Sequence, residues 1–272
     1  LGELNGVPVL GAPGCARSPK ENGFDWVLAR ILADDPPTSI DIARMGVGGL
    51  LMEIPTRPQP RAIPEIQTIS GVGIVLLAAG RASRMGEEAG HKLLAEFGGE
   101  PLVRRMADRA LGSKARKVMA VTGYRSDEIA TALAGLELEI VENTEFASGM
   151  ASSLKAGVRA LGRDVAGIMV LLADMPGLTS DHLDQLIAAF NKAEGEAIIR
   201  ASDGLHRGNP VILPVSLVSE IERLEGDVGA RALIEASGYP VIDIDIGASA
   251  RLDVDTPDAV RAAGGYLETG EP

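Results

Sequence analysis

The sequence predicts an α/β protein, a three-layer α/β/α sandwich around a mostly parallel sheet, and three observations predict it. Short apolar runs rich in Val and Ile alternate with helical patterns along most of the chain, the order that puts crossover helices between parallel strands. Runs such as GIVLLA (73–78) and GIMVLL (167–172) are continuously apolar, as strands are when helices cover both faces of their sheet. The 272 residues are 46% hydrophobic and 24% charged, enough for a sizeable core and ordinary for a globular chain.

In chain order, VPVLGAPG (7–14) reads as a strand and turn, and NGFDWVLARILAD (22–34) as a helix. Phe24, Val27, Leu28, Ile31 and Leu32 recur there at helical spacing, which predicts one buried face. A lone helix with one strand is a thin core. Residues 1–54 are therefore expected to be the C-terminal fragment of a domain, and the absence of an initiator Met fits a piece of a longer chain. Pro55, Pro58, Pro60 and Pro64 follow closely in IPTRPQPRAIPEI (54–66). Proline fixes φ and removes a donor, so 55–70 is expected to be an extended linker. One complete α/β domain is expected over 71–268. Its strand candidates are 73–78, 117–122, 139–142, 167–172, 197–200, 210–213 and 242–245. DHLDQLIAAF (181–190) puts Leu183, Leu186, Ile187 and Phe190 on one helical face after Thr179 or Ser180 as N-cap.

Composition removes several functions. The net charge of −12 opposes generic nucleic-acid binding, which needs the reverse balance. Glycine is abundant at 33 residues against one Trp, three Tyr and four Phe, so backbone loops rather than aromatic platforms are expected to bind ligands. Cys15 is the single cysteine and forms no intramolecular disulfide, which fits a reducing, cytoplasmic setting. No apolar run approaches the roughly 18 residues of a membrane span.

In open sheets of this kind, ligands sit beyond the carboxyl ends of the strands. The first such loop joins Leu77, Ala78, Ala79, Gly80, Arg81, Ala82, Ser83, Arg84, Met85 and Gly86, with Lys92 following. Small residues let amides approach a polyphosphate, and two arginines and a lysine offset its charge. It lacks the Gly-Lys-Ser/Thr ending of a P-loop and the G-x-G-x-x-G of a dinucleotide turn. A solvated basic turn after a core strand is the plainer reading. LLADMPGLT (171–179) ends an apolar strand at Asp174, a carboxylate suited to Mg²⁺ shared with substrate phosphates or equally to a turn. LDVDTPDAV (252–260) brings Asp253 and Asp255 before Thr256 and Pro257, so two acidic loops at one sheet edge can share a metal; Asp258 serves equally as a helix-start residue. In NTEFASGMASSLKAGV (143–158), Ser152 and Ser153 either bond a ribose or base, or cap the helix. LHRGNP (205–210) presents His206 and Asn209, and a lone His is more often structural than a metal ligand.

Taken in this order, LAAGRASRMG with Lys92, VTGYRSDE (121–128) with Gly123, GMASSL, DMP, GNP, GDVGAR (226–231) and D-T-P resemble the nucleotidyltransferases of molybdenum cofactor biosynthesis, on the glycosyltransferase-A-like, Rossmann-like fold, over about residues 72–266. Within that family the chain is most similar to the cytidylyltransferases. GTP users carry L-A-G-G at the first loop, whereas Ala79 here would narrow the base pocket. Gly208-Asn209-Pro210 departs from the Gly-His-Pro usual among cytidylyltransferases. GAPGCARSPKENGFDWVLARILA (11–33) and MGVGGLLMEIP (45–55) resemble the tail of a molybdopterin-binding domain.

The resemblance implies Mg²⁺-dependent (or Mn²⁺-dependent) transfer of CMP from CTP to the terminal phosphate of molybdopterin or its molybdenum complex, with a molybdoenzyme or its chaperone as a further partner. It implies Arg84, Lys92 and Asp174 as catalytic residues, Asp174 and Asp255 as metal ligands, and His206 and Asn209 toward the acceptor. Nucleotide binding falls to Leu77, Ala78, Ala79, Gly80, Arg81, Ser83, Lys92, Gly123, Ser152, Ser153 and Asp174. The alternatives are GTP as donor, a sugar or polyol phosphate as acceptor, or a non-catalytic molybdopterin carrier.

Overall fold

A computed structural model describes residues 2–4, 7–9, 23–33, 35–38, 41, 71–82, 85, 90–226 and 230–267. Internal contacts divide the chain into two compact units, 1–66 and 67–272.

In the first unit, β1 (Gly2–Leu4) pairs antiparallel with β2 (Val7–Val9) as a hairpin, and α1 spans Gly23–Leu32. The expected apolar stripe is only partly covered. Val27 is buried, whereas Leu28 is 37% and Leu32 78% exposed. Residues 10–14 of the expected strand and turn, and the proline segment 55–70, lie outside the described residues.

The second unit is the expected sandwich. In chain order it runs β3 (Val72–Ala78), β4 (Glu96–Phe97), β5 (Glu100–Pro101), α2 (Leu102–Leu111), β6 (Lys117–Thr122), α3 (Ser126–Leu133), β7 (Glu139–Glu142), α4 (Met150–Leu161), β8 (Gly167–Leu172), α5 (Ser180–Lys192), β9 (Ile198–Ser202), β10 (Arg207–Pro214), α6 (Val218–Ile221), α7 (Ala230–Ala236), β11 (Val241–Asp245) and α8 (Pro257–Ala262). Seven strands form one sheet in the order β11-β9-β10-β8-β3-β6-β7. β3 lies parallel between β6 and β8, with Ile74 opposite Val118 and Met169. β10 is antiparallel to both β8 and β9, and the remaining pairings are parallel.

The side-chain period of two along each strand sorts the core into its layers. Ile74 and Leu76 point to one face, where Leu102, Val103 and Met106 of α2 and Leu183, Leu186, Ile187 and Phe190 of α5 pack. Val75 points to the other, against Leu154 and Val158 of α4, Ile221 of α6 and Leu233 of α7. Thr179 is the N-cap of α5, its side chain accepting the His182 N–H. Among the described residues no helix is long and apolar enough to cross a membrane.

Candidate active site

The carboxyl edges of β3, β6 and β8 bring three loops together. β3 ends at Ala78, and carbonyls around its end are bonded to the neighbouring loops. Leu77 accepts the Ala173 N–H at 3.2 Å and Ala79 the Tyr124 N–H at 3.2 Å. Gly80 O lies 3.1 Å from His91 Nε2. Ala82 has a positive φ of 52°, uncommon for a residue with a side chain, and the Met85 N–H closes the turn onto its carbonyl at 2.9 Å. A short 3₁₀ turn, Lys92–Leu94, then returns the chain to this edge.

Lys92 is the centre of the site. Its Nζ donates to Asp174 Oδ2 at 2.5 Å and to Asp255 Oδ1 at 2.6 Å. Asp174 lies just beyond β8, and its backbone carbonyl accepts the Val254 N–H at 3.0 Å, so the two acidic loops are joined directly. Thr256 caps α8 by accepting the Ala259 N–H, and Pro257 takes the first helical position. Asp258 pairs with Arg261 at 2.8 Å and acts as a helix-start residue. Burial disfavours the Lys92 ammonium, but the charges and hydrogen bonds of Asp174 and Asp255 outweigh it and hold its pKa above the ordinary lysine value.

Asp174 Oδ1 is buried and has no hydrogen-bond partner among the described residues, a condition proteins rarely leave uncorrected. A buried carboxylate oxygen beside a second carboxylate is a donor set that suits a hard divalent cation. Among the described residues no group of three or more His, Cys, Asp or Glu forms a closed metal cage.

The other residues expected at the site are placed as follows. Arg81 lies over the Phe146 ring, 5.4 Å from its centroid. Gly123 fits where a Cβ would come within 2.7 Å of Phe146 and 2.9 Å of Ala79, so its close approach packs the β6 edge on the first loop. Ser152 and Ser153 do not cap α4, whose N-cap Gly149 makes no side-chain cap bond. Their hydroxyls accept from Asn143 Nδ2 at 2.8 and 2.9 Å, and Ser153 is buried. Ser83 and Arg84 lie outside the described residues.

His206 is mainly exposed and its Nδ1 lies 3.4 Å from Asp203 Oδ2; Asn209 lies near the start of β10. Between them, Gly208 is pressed so closely on the segment before Asp255 that a Cβ would fall 2.1 Å from Ala250 O. Hydrogen bonds from the His206 and Leu205 amides, together with Arg251, hold the Asp203 carboxyl down at about 2. The turn at 203–206 is thereby joined to the Asp255 loop through Asp203 and Arg251, 3.3 Å apart. Sequence reasoning missed Asn143 and His91. Each stands inside or beside a motif already singled out, but neither type signals a buried clamp without its partners in view.

The sequence matches the family described as MobA-like NTP transferase domain over residues 74–241. The chain belongs to this family. It is an enzyme of the nucleotidyltransferase type on the glycosyltransferase-A-like fold. It is 32% identical over 195 residues to the nicotine blue oxidoreductase of Paenarthrobacter nicotinovorans, covering 67% of this chain and 91% of that protein. It is 29% identical over 192 residues to the molybdenum cofactor cytidylyltransferase of Escherichia coli K12, covering 70% and 94%. Among solved structures, the Mycobacterium sp. strain JC1 homologue of Mycobacterium tuberculosis Rv0371c superposes with a TM-score of 0.61 at 28% identity, over 71% of this chain and 95% of that one. The matched stretch of the MobA-like domain contains the glycine loop, Lys92 and Asp174, while Asp255 follows it.

Proposed function

We propose that this MobA-like enzyme transfers CMP from CTP to the terminal phosphate of molybdopterin or its molybdenum complex. The observation that carries the reading is Lys92 held between Asp174 and Asp255, charges gathered from three separate loops at the ligand-binding edge of the sheet. Ala79 in place of glycine supports a pyrimidine, and the similarity of residues 11–33 and 45–55 to the tail of a molybdopterin-binding domain supports the acceptor. In the reaction an acceptor phosphate oxygen bonds to the α-phosphorus, the α–β anhydride bond breaks, and pyrophosphate leaves.

An anionic acceptor needs little help from a base; its difficulty is repulsion by the triphosphate. Lys92, Arg81 and Arg84 would offset that charge, and the amides of the Gly80 loop would hold the phosphate oxygens. Gly123, Ser152 and Ser153 shape the nucleotide side, while His206 and Asn209 face the acceptor side. Asp174 and Asp255 would hold Mg²⁺ or Mn²⁺, which supplies charge neutralisation at the phosphates when bound.

Pyrophosphate release in a four-nucleotide panel, with and without molybdopterin, tests the reading. CTP-specific release that requires the pterin is expected. GTP-specific release moves the donor, release with a sugar or polyol phosphate moves the acceptor, and pterin binding without release points to a carrier. A redox reaction in place of release would favour the activity for which the P. nicotinovorans relative is named. Asp174→Ala should fold and lose turnover; an unchanged rate at saturating Mg²⁺ and CTP would remove Asp174 from the site.

A further inference from the structure

Among the described residues, His91 is the one buried titratable side chain at this edge that the proposed chemistry does not use. It is 4% exposed and stands immediately before Lys92. Its Nδ1 accepts the Leu93 N–H at 3.4 Å, and its Nε2 faces Gly80 O at 3.1 Å. A ring nitrogen that faces an N–H must carry the lone pair, and one that faces a carbonyl must carry the proton. The contacts therefore select a single neutral tautomer with the proton on Nε2. Burial, with Arg125 and Lys92 nearby, keeps the imidazole pKa below its ordinary value despite the favourable Gly80 bond, and the ring is seated against Tyr124 at 5.8 Å.

The consequence lies on the far side of the peptide that His91 holds. A trans peptide is planar, so its C=O and N–H point in opposite directions. The Ala79 carbonyl is taken by the Tyr124 N–H and the Gly80 carbonyl by His91, so two consecutive peptide planes are each anchored through their carbonyl. The N–H groups on the opposite side of those planes belong to Gly80 and Arg81, and neither has an acceptor among the described residues. A backbone N–H held in a fixed direction at this edge is a donor from which an anion can accept.

We infer that His91 is a positioning residue for the nucleotide: by holding the Gly80 carbonyl it turns the Arg81 amide toward the triphosphate, while the same short turn sets Lys92 between the two carboxylates. This rests on the nucleotidyltransferase reading. His91 touches no reacting atom and moves no proton; it fixes the direction of one backbone donor. A hydrogen bond to a charged oxygen is involved, so loss of the clamp should weaken nucleotide binding by roughly 10- to 100-fold.

The test compares His91→Phe, which keeps the ring volume without hydrogen bonds, with His91→Gln, whose amide places a donor near the Nε2 position. Affinity for the α,β-methylene analogues of the four nucleoside triphosphates is measured by calorimetry with Mg²⁺ on the full chain, alongside the thermal midpoint. His91→Phe should lose affinity for the analogue that the parent binds, and His91→Gln should recover most of it at a similar midpoint. In the unaltered protein, ¹⁵N shifts of His91 at neutral pH should show the proton on Nε2. Parent affinity in His91→Phe, no recovery in His91→Gln, or a proton on Nδ1 would each overturn the assignment. If the unaltered chain binds none of the analogues, the nucleotidyltransferase reading fails and this proposal falls with it, even where the ¹⁵N shifts agree.

Discussion

Lys92 sits where removing one side chain leaves two carboxylates facing each other with their shared cation gone. Asp174 and Asp255 are only 18% and 33% exposed, so water cannot fully screen them. Lys92→Met is expected to cost about 1–3 kcal/mol of stability, less than a fully enclosed pair would, read as a lower urea midpoint at neutral pH. His91 gives a pH dependence whose sign follows from its depressed pKa. As pH falls, the unfolded chain takes up this proton before the folded one, so the folded state loses relative stability. The contribution is fully present above the ordinary value of 6.5 and disappears as pH falls through the folded value. Urea midpoints from pH 8 to 5 should decline for the parent, and His91→Phe should flatten the part of that decline that begins near neutrality.

The connection between β10 and the Asp255 loop is built from a missing side chain. Gly208→Ala would drive a Cβ to within 2.1 Å of Ala250 O, and either the hairpin or the loop must move. Overpacking of this kind costs about 1–3 kcal/mol, but displacement of Asp255 should lower kcat more than the thermal midpoint indicates; equal losses would show that the loop position is not critical. The elements themselves were largely legible. The runs at 117–122 and 167–172 coincide with β6 and β8 because strands covered on both faces announce themselves as apolar, and 139–142 coincides with β7 at the sheet edge, which is largely exposed. The start of β10 was not legible, since Arg207, Gly208 and Asn209 precede its buried stretch and carry no apolar signal. Nor did periodicity reveal that Leu28 and Leu32 stay exposed, because spacing states which residues share a face and not whether anything covers it. At the site, residue type pointed to Lys92, Asp174 and Asp255. The clamps His91 and Asn143 emerged only from their partners.

Over the chain as a whole, the residues proposed for the chemistry fall in one unit. All of Lys92, Asp174 and Asp255 lie in the unit 67–272. A fragment beginning at Gln67 is therefore expected to unfold cooperatively and to keep the nucleotide preference of the full chain in the pyrophosphate assay; loss of that preference would assign residues 1–66 a part in nucleotide selection. The net charge of −12 averages over the protein and conceals Lys92 and Arg81 at the sheet edge. Finally, Asp255 comes after β11, the last strand of the sheet, and is joined to Asp174 through the neighbouring Val254 amide. On the ribosome, synthesis runs from the amino end, so the glycine loop, Lys92 and Asp174 all emerge while their final partner is still in the exit tunnel. A nascent chain can build most of the sheet before Asp255 is made, so under the proposed reading the pair of carboxylates is completed only after the strands that carry its other members.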